Sequence, residues 1–418
     1  MEHIETIIIG GGQAGLSTSY YLTQHARQHI VLERYSQPTP VWRNERWDSF
    51  TLVTPNLAFN IPGADLSDKD PNSFMTLEDV ITFFEDYIEH YNLPVKYNSN
   101  VISVEPSGEE GYLIYTAEKK YFANNVVIAT GLYQKPRIPL AMDIPSEIFQ
   151  IHSSQYRNPE SIPEGAVLII GSAQSGCQIA EELNEYGIKI FLSTSKAGRA
   201  QRRYRGKDII DWLNTIGFFN LTFDQLPPGT PKFYGIPHLS GKRGGHTINL
   251  HQFARDGITL LGRLRGIRGT RVSIAPDLTE NLEFADQFDS HALNEIDAYI
   301  QANKLDLPAE KVPVLRDGFS QPIIEELDLK TSGIKTIIWA NGYSFDYSFV
   351  KVPVRDRDGY PIQTSGVTNY KGLSFVGLPW MPTEKSGFLL GVGDHARYVA
   401  GHIIEMQDKK HAESIARM

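Results

Sequence analysis

ETIIIGGGQAGLSTSYYL, Glu5–Leu22, decides how the rest of this chain is read. Ile7–Ile9 are three β-branched apolar residues in a row, the pattern of a strand buried on both faces. Gly10, Gly12 and Gly15 follow in the spacing GxGxxG, and Leu16–Thr23 continue as the helix this turn opens. HIVLERY, His29–Tyr35, is a second strand ending in an acid, Glu33. In such a β-α-β unit Gly10 makes the tight turn, Gly12 lets a pyrophosphate approach the backbone, and Gly15 lets helix and strand close. The helix start offers free N–H groups and partial positive charge to phosphates. Gly10, Gly12, Gln13 and Gly15 are therefore expected at a pyrophosphate, and Glu33 with Arg34 at the adenosine. An acid at Glu33 accepts hydrogen bonds from ribose and repels a 2′-phosphate, so this site suits FAD or NAD rather than NADP.

The pattern occurs twice. AVLIIGSAQSGCQIAEEL, Ala166–Leu183, is again strand, turn and helix, with Gly171, Ala173 and Gly176 as GxAxxG. Its next strand, IKIFLSTS (Ile188–Ser195), carries no acid at its end. Ser193, Thr194 and Ser195 are followed by Lys196, Arg199, Arg202, Arg203 and Arg205. Hydroxyls and guanidinium groups suit a 2′-phosphate, so NADPH is expected here. Gly171, Gln174, Ser175 and Gly176 would hold its pyrophosphate, and Ser193–Ser195 with Arg199, Arg202 or Arg203 its 2′-phosphate. The other reading of these cations is a solvated basic loop.

Between and beyond the fingerprints lie further elements. TLEDVITFFEDYIEHY, Thr76–Tyr91, predicts a helix capped by Thr76 with Asp79 and carrying one apolar stripe. Asn124–Pro139, NNVVIATGLYQKPRIP, predicts a strand ending in Ala-Thr-Gly, where Thr130 and Gly131 would lie along the first ligand. From about 205 to 271 the chain leaves the strand–helix rhythm and includes a Pro/Gly-rich loop, the mark of either a lid over a substrate or a dimer surface. KTIIWANGYSFDYSF (Lys335–Phe349) and GLSFVGLPW (Gly372–Trp380) are further strands, and GVGDHARYVAGHIIEM (Gly391–Met406) is an amphipathic helix.

Bulk properties narrow the function. The chain has 418 residues, 41% of them hydrophobic and 21% charged, with a formal net charge of -9. That balance excludes a basic nucleic-acid binder, and it is too mild for a disordered protein. Met1–Glu5 lead straight into the first strand and no apolar run reaches roughly 18 residues, so a cytoplasmic protein without a membrane partner is expected. A single cysteine, Cys177, excludes an internal disulfide, a CxxC redox centre and a cysteine-rich metal site. No metal is expected.

Two dinucleotide units in one chain resemble the two-dinucleotide-binding flavoproteins. IIIGGGQAG, VWRNERWDSFTLVTP, ATGLYQKPRIP, GSAQSG and WANGY, in this order, resemble the flavin-containing monooxygenases, the class B flavoprotein monooxygenases. RWDSFTLVTPN, IHSSQYRNP, RRYRGKDIIDWL and GLPWMPTEKSGFLLGVGDHA look like a bacterial flavin-dependent oxidoreductase subfamily associated with nitrilase gene clusters. The family motif FxGxxxHxxx[YF] is met only at its end, by His152 and Tyr156, with Ser146 and Ile148 in place of Phe and Gly. The resemblance implies FAD reduced by NADPH, O2 captured as a flavin C4a-(hydro)peroxide, and one oxygen atom passed to a small organic substrate. It places Thr54 and Asn56 in the region of the family's active-site asparagine, and Asn341 between NADPH and flavin. Trp42, Arg43 and Trp47 would flank the flavin or adenine, with core packing the other reading of the tryptophans. The backbone from Leu389 to Gly393 would face the flavin, and Asp394 would bind the ribityl chain or cap its helix.

The expected architecture is α/β, with two Rossmann-like dinucleotide-binding domains, the second inserted in the first. The FAD domain would take 1–160 and 330–418 and the NADPH domain 161–329. Two other functions share this architecture: a flavin reductase or dehydrogenase that traps no peroxide, and a non-catalytic NADPH-sensing flavoprotein. A homodimer is compatible with each.

Overall fold

The computed structural model describes residues 1–108, 111–139, 142–226, 230, 232 and 237–416. Two sheets organise it. The first has the order Val95–Lys96, His29–Leu32, Glu2–Ile9, Lys120–Ile128, Tyr112–Thr116, Val101–Pro106, and Leu373–Phe375 also pairs with Lys120–Ile128. Glu2–Ile9 is parallel to both its neighbours, with Ile7 opposite Ile30 on one side and Val126 on the other. The all-apolar run at Ile7–Ile9 is buried on both faces as its pattern requires. The Gln13–Gln24 helix covers one face, and the Leu77–His90 helix packs Val80, Phe84 and Tyr87 into the same core. The predicted cap forms: Asp79 N–H donates to Thr76 Oγ1 at 3.2 Å, and Thr76 N–H to Asp79 Oδ2 at 2.9 Å.

The second sheet is all parallel, in the order Thr259–Leu261, Ile190–Ser193, Ala166–Ile170, Ile334–Trp339, Phe149–His152. It extends past the expected 161–329 on both sides, because Phe149–His152 pairs with Ile334–Trp339 and not with the first sheet. Lys335–Phe349, read as part of the first unit, therefore contributes a central strand to the second. The insertion is also shorter than 205–271: the Leu250–Arg255 helix and the Thr259–Leu261 strand resume the regular rhythm. Its Pro/Gly-rich stretch at 227–229, 231 and 233–236 lies outside the described residues.

The chain passes between the two sheets twice. Both crossings run side by side, Lys135–Pro136 pairing antiparallel with Tyr343–Ser344. Among the described residues, no helix is long and apolar enough to cross a membrane.

Candidate functional site

The two fingerprints fold into the same geometry. Gly10 has φ +111° and Gly171 φ +108°, values in which a side chain is strained. A Cβ on Gly15 would lie 1.9 Å from the Gly10 carbonyl oxygen, and a Cβ on Gly176 1.9 Å from that of Gly171. Only glycine permits either approach. Each helix then starts at a residue without a capping side chain, Gly12 and Ala173, and has no acid in its first turn. The first N–H groups of both helices are thus left for a ligand. At Gly12 an added Cβ would meet no heavy atom within 4 Å; it would point into open space.

That space is a cavity of about 750 Å³. Gly10, Gly12, Gln13, Glu33, Thr130 and Gly131 line one end of it, and Gln174 and Ser175 line it from the second fingerprint. The buried Glu33 carboxylate accepts the Gly11 N–H at 2.8 Å and the Tyr35 N–H at 3.0 Å, which fixes it at the strand end. Arg34 also lines the cavity, its guanidinium 4.7 Å over the Tyr35 ring. Gln134 bonds Thr130 Oγ1 and the Gly131 carbonyl, holding the Ala-Thr-Gly turn. The cavity continues past Trp42, Thr54 and Leu389 to the insertion, where Ile210, Leu213, Phe218 and Phe219 line it. The insertion therefore forms cavity wall.

Several expected ligands are engaged elsewhere. Asn56 is buried beneath the surface loop, its amide donating to the Asp70 carbonyl and Ser73 Oγ at 2.9 and 2.8 Å, and it does not line the cavity. Arg43 turns outward to Glu85 and the Pro38 carbonyl. Trp47 is a core residue of the second sheet's cluster. Arg46 instead faces the cavity, over the rings of Tyr133, Trp42 and Phe50 at 4.9, 5.4 and 5.7 Å. Arg43 lies in the Pro40–Asn44 helix and Arg46 two residues beyond it, and no sequence signal distinguished them. Asp394 lies half-exposed beside Arg397 and off the cavity, and Gly393 packs on the Asn60 carbonyl.

The expected 2′-phosphate group changes most. Ser193 Oγ donates to the Gly262 carbonyl and Thr194 Oγ1 to that of Leu261, so both hydroxyls tie neighbouring strands together. Arg199 is paired with Asp286 and Asp289. Arg202 is 2% exposed and bound through two nitrogens to Asp208, with a third contact to the Val53 carbonyl at 2.8 Å. A charge so deeply buried needs that acid, since burial pulls the guanidinium pKa down and Asp208 offsets only part of that pull. Arg203 reaches the Asn72 and Gly244 carbonyls. Ser195 and Lys196 remain at the strand end; Ser195 gives its backbone N–H to Ser172 Oγ at 3.0 Å. Gln174 uses its side-chain amide on both backbone groups of Leu239, which leaves its helix N–H for phosphate.

Asn341 follows the Ile334–Trp339 strand beside the second fingerprint, and its Oδ1 is buried without a hydrogen-bond partner. Asn341 does not line the cavity, so this buried acceptor lies off the space open to a ligand. His152 is fully buried, with Nδ1 at 3.0 Å from Ser154 Oγ and Nε2 at 3.1 Å from the Gly342 carbonyl, a structural residue whose pKa burial lowers. Cys177 is buried with Sγ 3.2 Å from the Ser172 carbonyl, and burial pushes its thiol pKa up, which keeps it protonated and inert.

Residues 7–215 match the family model described as pyridine nucleotide-disulphide oxidoreductase. The chain belongs to that family. It is 31% identical over 408 residues to an uncharacterized CzcO-like oxidoreductase of Geobacillus kaustophilus, covering 97% of this chain and 99% of the relative. Among solved structures it resembles a flavin-containing monooxygenase from Stenotrophomonas maltophilia, with 19% identity, TM-score 0.65, and 97% and 99% of the two chains covered. It also resembles the ornithine N-hydroxylase of Kutzneria sp. 744, solved with reduced FAD, NADP+ and L-ornithine, with 15% identity, TM-score 0.63, and 97% and 100% covered. This protein is thus an oxidoreductase with two Rossmann-type units, and its likeness to flavin monooxygenases is borne out. The family's name speaks of disulphides, but this chain's one cysteine is the buried Cys177.

Proposed function

We propose that this protein is an FAD-dependent, NADPH-driven monooxygenase that puts one oxygen atom of O2 on a small organic substrate. One observation carries the reading: a single cavity joins the first fingerprint, the second fingerprint and the apolar wall of the insertion. FAD and NADP accompany the similar ornithine N-hydroxylase fold, and the two helix starts, Glu33 and the open space at Gly12 fit such ligands here. When bound, FAD supplies hydride acceptance and the reaction with O2. The balance is one NADPH, one proton and one O2 consumed, with one oxygen atom on the substrate and the other released as water.

The chain's own residues bind, orient and exclude water. The N–H groups opening the Gln13–Gln24 helix hold the FAD pyrophosphate, and Glu33 holds its ribose hydroxyls. Leu389, which lines the cavity, would face the flavin. The N–H groups opening the Gln174–Glu185 helix hold the NADPH pyrophosphate, with Ser195 and Lys196 at its 2′-phosphate. Thr54 stands on the cavity wall between flavin and insertion, and Leu213 and Phe219 keep water out. The FAD unit runs to about residue 148 and resumes at about 340, with the NADPH unit between. The nitrilase-cluster likeness adds nothing to this assignment.

Anaerobic reduction of the FAD-loaded protein by NADPH, then mixing with 18O2 and a panel of sulfides, amines and ketones, tests the reading. One 18O atom in product per NADPH supports it. Hydrogen peroxide equal to NADPH with every substrate would favour the flavin reductase. Absence of reduction by NADPH would refute both.

A further inference from the structure

We infer that the molecule oxygenated here is apolar, presents a ring or branched chain to an aromatic wall, and carries no carboxylate. The inference rests on the monooxygenase reading and adds to it the substrate's chemical class. Past Thr54 the cavity opens into an arm walled by Ile210, Leu213, Phe218 and Phe219 from the insertion, with Leu239 and Leu390. These six belong to or pack on one hydrophobic cluster, so the arm is a continuous apolar surface and not a set of isolated side chains. Phe218 and Phe219 stand edge to face, their ring centres 5.5 Å apart, which leaves an aromatic face and edge for a guest ring.

Charge along the cavity is segregated. Its cationic side chains, among the described residues, are Arg34, Arg46 and Lys135. Arg34 adjoins Glu33 at the adenosine end, Lys135 lies in the paired crossing strands, and Arg46 sits over Tyr133 on that same side. None belongs to the apolar cluster. The ionisable group beside the arm is Glu384, 7% exposed and lining the cavity. Its backbone N–H donates to the Leu221 carbonyl at 3.4 Å, which sets it against the Phe218–Asn220 turn. A carboxylate entering this arm would lose its water and, among the described lining residues, meet no cation there. A neutral ring would bury its surface against leucine and phenylalanine.

A matched pair of probes tests this: thioanisole and 4-(methylthio)benzoate share ring and sulfur and differ by one carboxylate. Each is titrated onto the oxidised FAD-loaded protein while flavin absorbance is followed, which needs no turnover. Thioanisole is expected to half-saturate at about a hundredfold lower concentration than the benzoate. Equal binding of the two probes, or no response to thioanisole, would overturn the inference. In turnover with NADPH and O2, thioanisole yields its sulfoxide: one oxygen atom bonds to sulfur, the other leaves as water, and NADPH with a proton supplies the two electrons. Selective thioanisole binding with hydrogen peroxide and no sulfoxide would refute the monooxygenase reading and leave the apolar arm standing.

Discussion

Replacing Arg202 by methionine separates two meanings of a basic cluster. A phosphate-binding arginine, when lost, raises KM for NADPH relative to NADH and leaves stability alone. The structure predicts the reverse. Arg202 and Asp208 are 2% and 0% exposed as side chains and joined by paired hydrogen bonds, and Arg202 also holds the Val53 carbonyl and covers the Phe74 ring at 4.8 Å. Removing one partner leaves a buried, uncompensated carboxylate, at a cost of about 3–5 kcal/mol. For a unit the size of the second domain that lowers the thermal midpoint by roughly 6–20 °C. Asp208 also caps the Ile209–Thr215 helix through the Ile210 N–H at 2.9 Å, so Asp208→Asn keeps the cap while losing the charge. The R202M/D208N pair should therefore cost much less than the sum of the single changes. Thermal midpoints and NADPH and NADH kinetics of the four proteins measure this. A stable R202M whose NADPH/NADH preference collapses would refute the reasoning and return Arg202 to the phosphate.

Four other outcomes follow from the same geometry. Gly12→Val should leave the apoprotein folded, since its Cβ meets no atom within 4 Å, yet fill the pyrophosphate space, so that purified protein contains no FAD; Gly15→Ala, 1.9 Å from the Gly10 carbonyl, should also lower the thermal midpoint. Gly176→Ala should spare FAD content and abolish flavin reduction by NADPH, read by stopped-flow absorbance. Lys196→Ala should raise KM for NADPH about tenfold while leaving that for NADH unchanged. His246 Nε2 lies 2.6 Å from Glu181 Oε1, tying the insertion to the second fingerprint helix, and this hydrogen bond raises the histidine pKa. A raised folded pKa means the contact stabilises fully below the ordinary histidine pKa of about 6.5 and is lost as pH climbs through the raised value. The thermal midpoint should fall across that window, and His246→Gln should flatten the fall.

Both fingerprints were legible because their chemistry is local. Strand, turn and helix follow within twenty residues or so, and Gly10, Gly15, Gly171 and Gly176 report backbone approaches that no other residue allows. Thr76 with Asp79 was legible for the same reason. The arginines were not. Arg202 meets Asp208 through a tight hairpin, with Arg205 at φ +45° and Gly206 at φ +78°, and only the folded chain shows that the acid it faces belongs to the protein. Arg43 lies in the short Pro40–Asn44 helix and Arg46 two residues beyond its end, and Arg43 is drawn away from the cavity by Glu85, forty-two positions along the chain. The second domain's limits were missed because Phe149–His152 and Ile334–Trp339 are ordinary apolar strands, and pairing across 180 or more residues leaves no mark in either.

The adjacent crossings at Lys135–Pro136 and Tyr343–Ser344 make the second unit a cassette. Every strand of the first sheet lies within residues 2–128 or 373–375, and the bridges onto it from between, Val104 with Val350 and Val367 with Ser374, come after the second crossing. Excising the intervening chain would leave two ends about one strand spacing, roughly 5 Å, apart. A gene could acquire or exchange this half, with its insertion and the cavity wall it carries, through a socket only two strands wide.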